Sequence, residues 1–151
     1  MKRFVFLAVS LLLVASIAGA TVAQNRTYTV EDLMKVKRVG DPQISPDGRW
    51  VAFTLGEVNF DANRTLTQIY VTPIGGGELK RLTEGDRSST SPRWSPDGKK
   101  IAFTTGSQVW TMDSDGDHKD QVTKISTGAA APLWSPDGKW IAFTSDVYAD
   151  C

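Results

Sequence analysis

A chain of 151 residues with 17 basic and 17 acidic side chains has the size of one ordinary domain, and its charge balance gives no electrostatic reason to expect nucleic acid as a partner. One cysteine, Cys151, excludes an internal disulfide framework or a zinc site built on several cysteines. One histidine, His118, leaves few routes to a histidine-based hydrolase within these residues.

The chain starts with a positive cluster, Met1-Lys2-Arg3, and an apolar run from Phe4 to Ala18 broken only by Ser10 and Ser16. Small residues follow, Ala18-Gly19-Ala20 and Thr21-Val22-Ala23. This tripartite pattern predicts a secretory signal peptide over residues 1–23, cleaved near Ala23, and hence a periplasmic or extracellular protein. The apolar stretch is short of the roughly 20 residues a membrane span needs, and no cysteine follows it for a lipid, so no stable membrane anchor is expected. Removing residues 1–23 takes away Lys2 and Arg3 and keeps all five tryptophans. A polar chain with a few large aromatics suits thin β-structure.

Residues 24–41 form a short lead-in. Thr29 reads as an N-cap with Glu31 and Asp32 in the first turn, which predicts a short helix to about Lys37 with Leu33, Met34 and Val36 as apolar contacts.

A repeat then dominates. Residues 42–54 read PQISPDGRWVAFT, residues 92–104 read PRWSPDGKKIAFT and residues 132–144 read PLWSPDGKWIAFT. Gln68-Ile69-Tyr70-Val71 also aligns with Gln108-Val109-Trp110-Thr111, which places the extra residues of the first repeat within Gly56 to Thr67. A period near 40 residues with one polar insertion is the signature of propeller blades. In each unit Pro-x-Trp predicts a short first strand, since proline is confined to a strand's first position or to an edge. Proline, aspartate and glycine of Ser-Pro-Asp-Gly then supply a fixed φ, a local acceptor and a positive φ for a tight turn. In the second strand Ile141 and Phe143 alternate with Trp140, Ala142 and Thr144. Both faces are apolar, as in a sheet packed between two neighbours. A third strand at about 108–112, a turn at Asp113 to Asp117 and a fourth strand at about 121–126 complete the unit. The fold class is therefore all-β, an incomplete propeller of four-stranded blades at about 42–84, 92–127 and 132–151. Propellers close with about four to eight blades, so the chain is expected to be the amino-terminal part of a longer polypeptide.

Tyr28-Thr29-Val30-Glu31-Asp32-Leu33, followed by Asp41-Pro42-Gln43-Ile44-Ser45-Pro46-Asp47-Gly48, resembles the start of secreted prolyl oligopeptidase-family serine peptidases of the dipeptidyl or acylaminoacyl kind. Glu57 to Arg64 leading into Gln68-Ile69-Tyr70-Val71, and the ending Thr144-Ser145-Asp146-Val147-Tyr148, carry the same resemblance. It implies a propeller that gates access for short peptide substrates, and a C-terminal α/β-hydrolase domain, absent from this chain, as its partner. The family's nucleophile sits in a G-x-S-x-G elbow. No such motif occurs in residues 1–151, so no catalytic residue is carried over and the segment alone is expected to be inactive. The repeats also resemble TolB-like propellers, which implies a periplasmic binding or scaffolding module without enzymatic activity. Self-assembly of half-propellers stays open as well.

Other motifs are expected to be structural. Asp113-Ser114-Asp115-Gly116-Asp117 alternates carboxylates, but an EF-hand needs glycine sixth and glutamate twelfth. Here glycine is fourth and Lys124 is twelfth, so a solvated hairpin turn is expected, with no metal and no other cofactor. Asn59, Asp61 and Asn63 form a weaker alternation. His118 is expected to be exposed and without a role. The recurrence of Trp50, Trp94, Trp110, Trp134 and Trp140 predicts packing between blades rather than a stacking surface. Asn25-Arg26-Thr27 and Asn63-Arg64-Thr65 match glycosylation acceptors.

Overall fold

Ser-Pro-Asp-Gly builds the same turn three times. In the computed structural model, which describes residues 27–60 and 62–146, the serine hydroxyls of Ser45, Ser95 and Ser135 each donate to the aspartate two residues on, at 2.6 Å. Each hydroxyl also accepts the amide five residues on, from Trp50, Lys100 and Trp140, at 2.9–3.0 Å. The serine amide returns a bond to the carbonyl of that same residue. Gly48, Gly98 and Gly138 take φ of 71°, 71° and 69°, where a side chain is strained. The turn locks the register of the two strands that leave it, pairing Ile44 with Val51, Trp94 with Ile101 and Trp134 with Ile141.

A short helix α1 (Val30–Met34) precedes the sheets. The Thr29 hydroxyl accepts the Asp32 amide and the Asp32 carboxylate accepts the Thr29 amide, a reciprocal capping box. The helix stops at Met34 rather than about Lys37, and Leu33, Met34 and Val36 are exposed. With no apolar face to bury, nothing rewards further turns.

The first sheet holds β1 (Arg38–Ile44), β2 (Trp50–Asn59), β3 (Arg64–Pro73) and β4 (Lys80–Arg81) in sequence order. The second repeats it with β5 (Ser89–Trp94), β6 (Lys100–Thr105), β7 (Gln108–Asp113) and β8 (Asp120–Gln121). A third pair, β9 (Ala130–Trp134) and β10 (Ile141–Thr144), starts another unit. All pairings are antiparallel, so the chain is all-β with four-stranded blades. The inserted residues lengthen the β2–β3 hairpin through pairs such as Val58 with Thr65 and Asn59 with Arg64. Among the described residues no helix is long and apolar enough to cross a membrane.

The prolines keep to edge strands as expected, while the fourth strand departs from expectation. Pro42, Pro92 and Pro132 lie inside their strands, not at the start. They are tolerated because these strands are sheet edges and because a bulge precedes the proline, with Asp41, Ser91 and Ala131 at φ of 47°, 54° and 50°. The fourth strand spans two residues rather than about 121–126. Side chains replace the missing ladder. Thr83 Oγ1 accepts the Ile69 amide at 2.8 Å and donates to Gln68 Oε1 at 2.7 Å, while Gln68 Nε2 donates to the Arg87 carbonyl. Thr123, Gln108, Val109 and Ile125 repeat this latch in the second sheet.

The core lies between the sheets. Ala52, Ile69, Val71 and Leu82 of the first meet Ile101, Phe103 and Met112 of the second. Ala102 and Val109, on the second sheet's other face, are also buried. Burying each large side chain contributes about 1.5–3 kcal/mol. Within this core the latch is dry, with Gln68 and Thr83 only 4% and 3% exposed. Thr83→Val is expected to destabilise the full chain by about 2 kcal/mol, because the Ile69 amide and the Gln68 carbonyl lose their partner in a buried site. A urea melt checks this, and an unchanged midpoint contradicts the latch.

Candidate functional site

The seam between consecutive blades positions every candidate side chain. Each Pro-x-Trp tryptophan reaches back one blade: Trp94 Nε1 donates to the Gln43 carbonyl at 3.0 Å and Trp134 Nε1 to the Arg93 carbonyl at 3.1 Å. Gln43 and Arg93 are equivalent residues, so one bond is reused at successive seams. The first seam adds a clamp, in which Arg93 Nη1 donates to both carboxylate oxygens of Asp41 at 3.0 and 2.9 Å. Gln43 Nε2 holds the same carboxylate at 2.8 Å. The turns also stack, with Gly98 against Pro46 and Gly138 against Pro96 at ordinary van der Waals distance.

Two grooves flank these seams. On the turn side, a groove of about 400 Å³ runs between the first two blades over Val71, Trp50 and Trp94, edged by Asp97, Asp115 and Lys80. At the far strand ends, a groove of about 410 Å³ between the second and third blades is lined by hydroxyls, among them Ser88, Thr90, Thr104, Ser107 and Thr127. Thr54 and Thr144 bond the Gly40 and Ala130 carbonyls across their strands. The equivalent Thr104 Oγ1 is buried without a partner among the described residues.

The turn carboxylates remain ionised. The Ser45 hydroxyl, aided by the Arg49 guanidinium and amide, holds Asp47 down at about 2. The serine hydroxyl and the amide two residues on likewise lower Asp97 and Asp137. Asp113 is lowered by its bond to His118, then by Lys100.

Asp113 to Asp117 forms a hairpin turn, closed by the Asp113 amide on the Asp117 carbonyl and capped by Asp115 Oδ1 on the Asp117 amide. Among the described residues no three His, Cys, Asp or Glu side chains gather to hold a metal. His118 is exposed as expected, yet it is not idle: its Nδ1 lies 2.8 Å from Asp113 Oδ2, at a φ of 47°. Asn59 accepts the Ala62 amide and Asn63 closes the hairpin tip on the Phe60 carbonyl, so this alternation serves the tip. Packing explains only some of the tryptophans. Trp94 and Trp110 lie against the core, while Trp50, on the same strand face as the buried Ala52, is 40% exposed at the rim of the first seam. Residues 1–23, Asn25, Asp61, Val147, Tyr148 and Cys151 lie outside the described residues. Sequence reasoning missed the Asp41–Arg93 clamp and the Gln–Thr latch. The aligned Gln68 and Gln108, with a threonine 15 residues later in both repeats, were the available signal for the latch.

Comparison with known proteins places the chain clearly. The family model described as the TolB beta propeller domain matches residues 20–149. Dipeptidyl-peptidase 5 of Porphyromonas endodontalis is 34% identical over 110 residues, which cover 70% of this chain and 16% of that protein. The match thus spans about a sixth of the relative's length. Among solved structures, a putative TolB from Agrobacterium tumefaciens has a TM-score of 0.58 at 30% identity, covering 74% of this chain and 39% of the other. Pyrococcus horikoshii acylaminoacyl peptidase has a TM-score of 0.59 at 27% identity, covering 72% and 17%.

The depressed turn carboxylates set an acid dependence. Their contribution is complete above the unfolded aspartate value near 3.9 and is lost as pH falls through the folded value, about 2 for Asp47. Asp97→Asn keeps an acceptor but not the charge. It is expected to be less stable than the parent at pH 7, with the gap closing as pH approaches 2. Chemical melts at a series of pH values check this, and a gap independent of pH contradicts it.

Proposed function

The chain belongs to the TolB β-propeller domain family, and from that premise we propose that it is the non-catalytic propeller part of an exported serine peptidase acting on short peptides. The observation that carries this is the 34% identity with a protein named as a dipeptidyl-peptidase, of which the match occupies 16% and leaves ample length for a catalytic domain. Acyl transfer through a serine belongs to a C-terminal α/β-hydrolase domain that these residues do not include. The blades cover that domain's active site and admit only thin, unfolded peptides, for which a rigid scaffold of stapled seams is suited. In the same proposal residues 1–23 are removed on export, residues 24–41 lead in, and blades follow at about 42–84, 92–127 and 132–151.

A periplasmic binding propeller without an enzyme is the alternative, favoured by the 30% identity with a putative TolB that covers 39% of that chain. The two are separated by reading the gene in frame beyond codon 151 and expressing the whole product. A G-x-S-x-G elbow, with turnover of a dipeptidyl arylamide that a serine-to-alanine change at the elbow abolishes, is the expected outcome. Deleting the blades should then raise cleavage of long peptides relative to short ones. Further SPDG repeats with no elbow and no turnover support the binding propeller instead.

A further inference from the structure

In a repeat protein a position that accepts unlike residues is not dictated by the fold, and an exposed side chain there is free to serve something else. The residue that closes each Ser-Pro-Asp-Gly turn is Trp50, Lys100 or Trp140. The turn uses only its backbone, so lysine serves as well as tryptophan. At the second blade Lys100 spends its ammonium on Asp113, 3.3 Å away. At the first, Trp50 instead leaves its indole 40% exposed over a groove, with no partner for its N–H among the described residues. Across that groove stands Trp94, its own N–H committed to Gln43 and its ring thereby fixed. Two tryptophans thus face one cleft of about 400 Å³, in a place where the repeat itself shows that one suffices.

The charges around the cleft are not balanced. Asp47 is neutralised by Arg49 at 2.7 Å. Asp97 keeps its charge, stabilised by the Ser95 hydroxyl and the Lys99 amide, and Asp115 caps the Asp117 amide. Against these two carboxylates stands Lys80, which makes no ion pair among the described residues and rides on the two-residue edge strand β4. Anionic ligands meet Asp97 and Asp115. A purely apolar ligand strips water from both carboxylates and returns nothing. A cation on an aliphatic stem satisfies the aromatic floor and the acidic rim together.

We propose that this groove binds a lysine or arginine side chain presented by an extended peptide segment, its stem on Trp50 and Trp94 and its charge between Asp97 and Asp115. The site lies wholly in the first two blades and stands whether or not a peptidase domain follows them.

The test is isothermal titration of the full chain with acetyl-Gly-Arg-Gly-amide, and with the same peptide carrying citrulline or glutamate in place of arginine. Binding with a Kd of order 1 mM or tighter is expected for arginine. Citrulline should bind about tenfold more weakly, and glutamate not measurably, since the cation supplies both the ring and the carboxylate attraction. Trp50→Lys installs the residue the second blade already carries there, so the fold tolerates it, and it should weaken arginine binding about tenfold or more. Asp115→Asn keeps the turn's acceptor and should cost about threefold to tenfold. The proposal is overturned by equal affinity for arginine and citrulline. It is overturned equally by unchanged binding in Trp50→Lys, or by no saturable binding to a chain whose circular dichroism shows intact β-sheet.

Discussion

Everything in these blades depends on one hydroxyl. The serine that opens Ser-Pro-Asp-Gly donates to its aspartate at 2.6 Å and accepts the amide five residues later, so a single side chain ties both ends of the turn. The geometry is the same at Ser45, Ser95 and Ser135 to within 0.1 Å, whatever surrounds it. Register in a β-hairpin is a parity decision, because a slip of one residue turns every side chain to the opposite face. By fixing the pairing of Trp94 with Ile101, the turn sends Phe103 toward the first sheet and Ala102 toward the third. It also sets the tryptophan indole where it meets the preceding blade. The inter-blade bonds are thus a downstream consequence of local chemistry, which suits an architecture whose repeats contact only their neighbours.

Much of this was legible in the sequence because it is local or repeated. Three copies of one motif revealed the period, the turn chemistry revealed the hairpin, and the two apolar faces of Ile-Ala-Phe-Thr revealed a sheet buried on both sides. What stayed hidden is contact between residues that no local pattern connects. Asp41 and Arg93 stand 52 positions apart, and Ser91 occupies the place of Asp41 in the next blade, so the clamp is not itself repeated. The fourth strand was overestimated because Val122 and Thr123 have the composition of a strand. Thr123 instead spends its hydroxyl on the Val109 amide and takes the place of a ladder. Trp50 misleads for a related reason: recurrence predicts packing between blades, whereas there the repeat preserves a turn and leaves the ring 40% exposed.

The likeness to both a peptidase and a TolB protein follows from this division. The turns, latches and tryptophan bonds make a scaffold indifferent to what it serves, and the chemistry of any particular protein is added at its margins. The first blade carries two such additions at once: the long β2–β3 hairpin and the Asp41 clamp.

The two-residue outer strands have one further effect. A sheet edge is a template for another molecule's backbone, and its danger grows with the length of unpaired, flat strand it offers. On the outer side β4 and β8 present two residues each, after which the Thr83 and Thr123 hydroxyls take the Ile69 and Val109 amides. On the other side β1 and β5 are broken by a bulge and a proline that has no amide to give. Each of the two four-stranded blades is therefore blunt at both edges and meets its neighbour through its faces. Blades built this way are steered from edge-to-edge aggregation one at a time, by features that each repeat carries for itself.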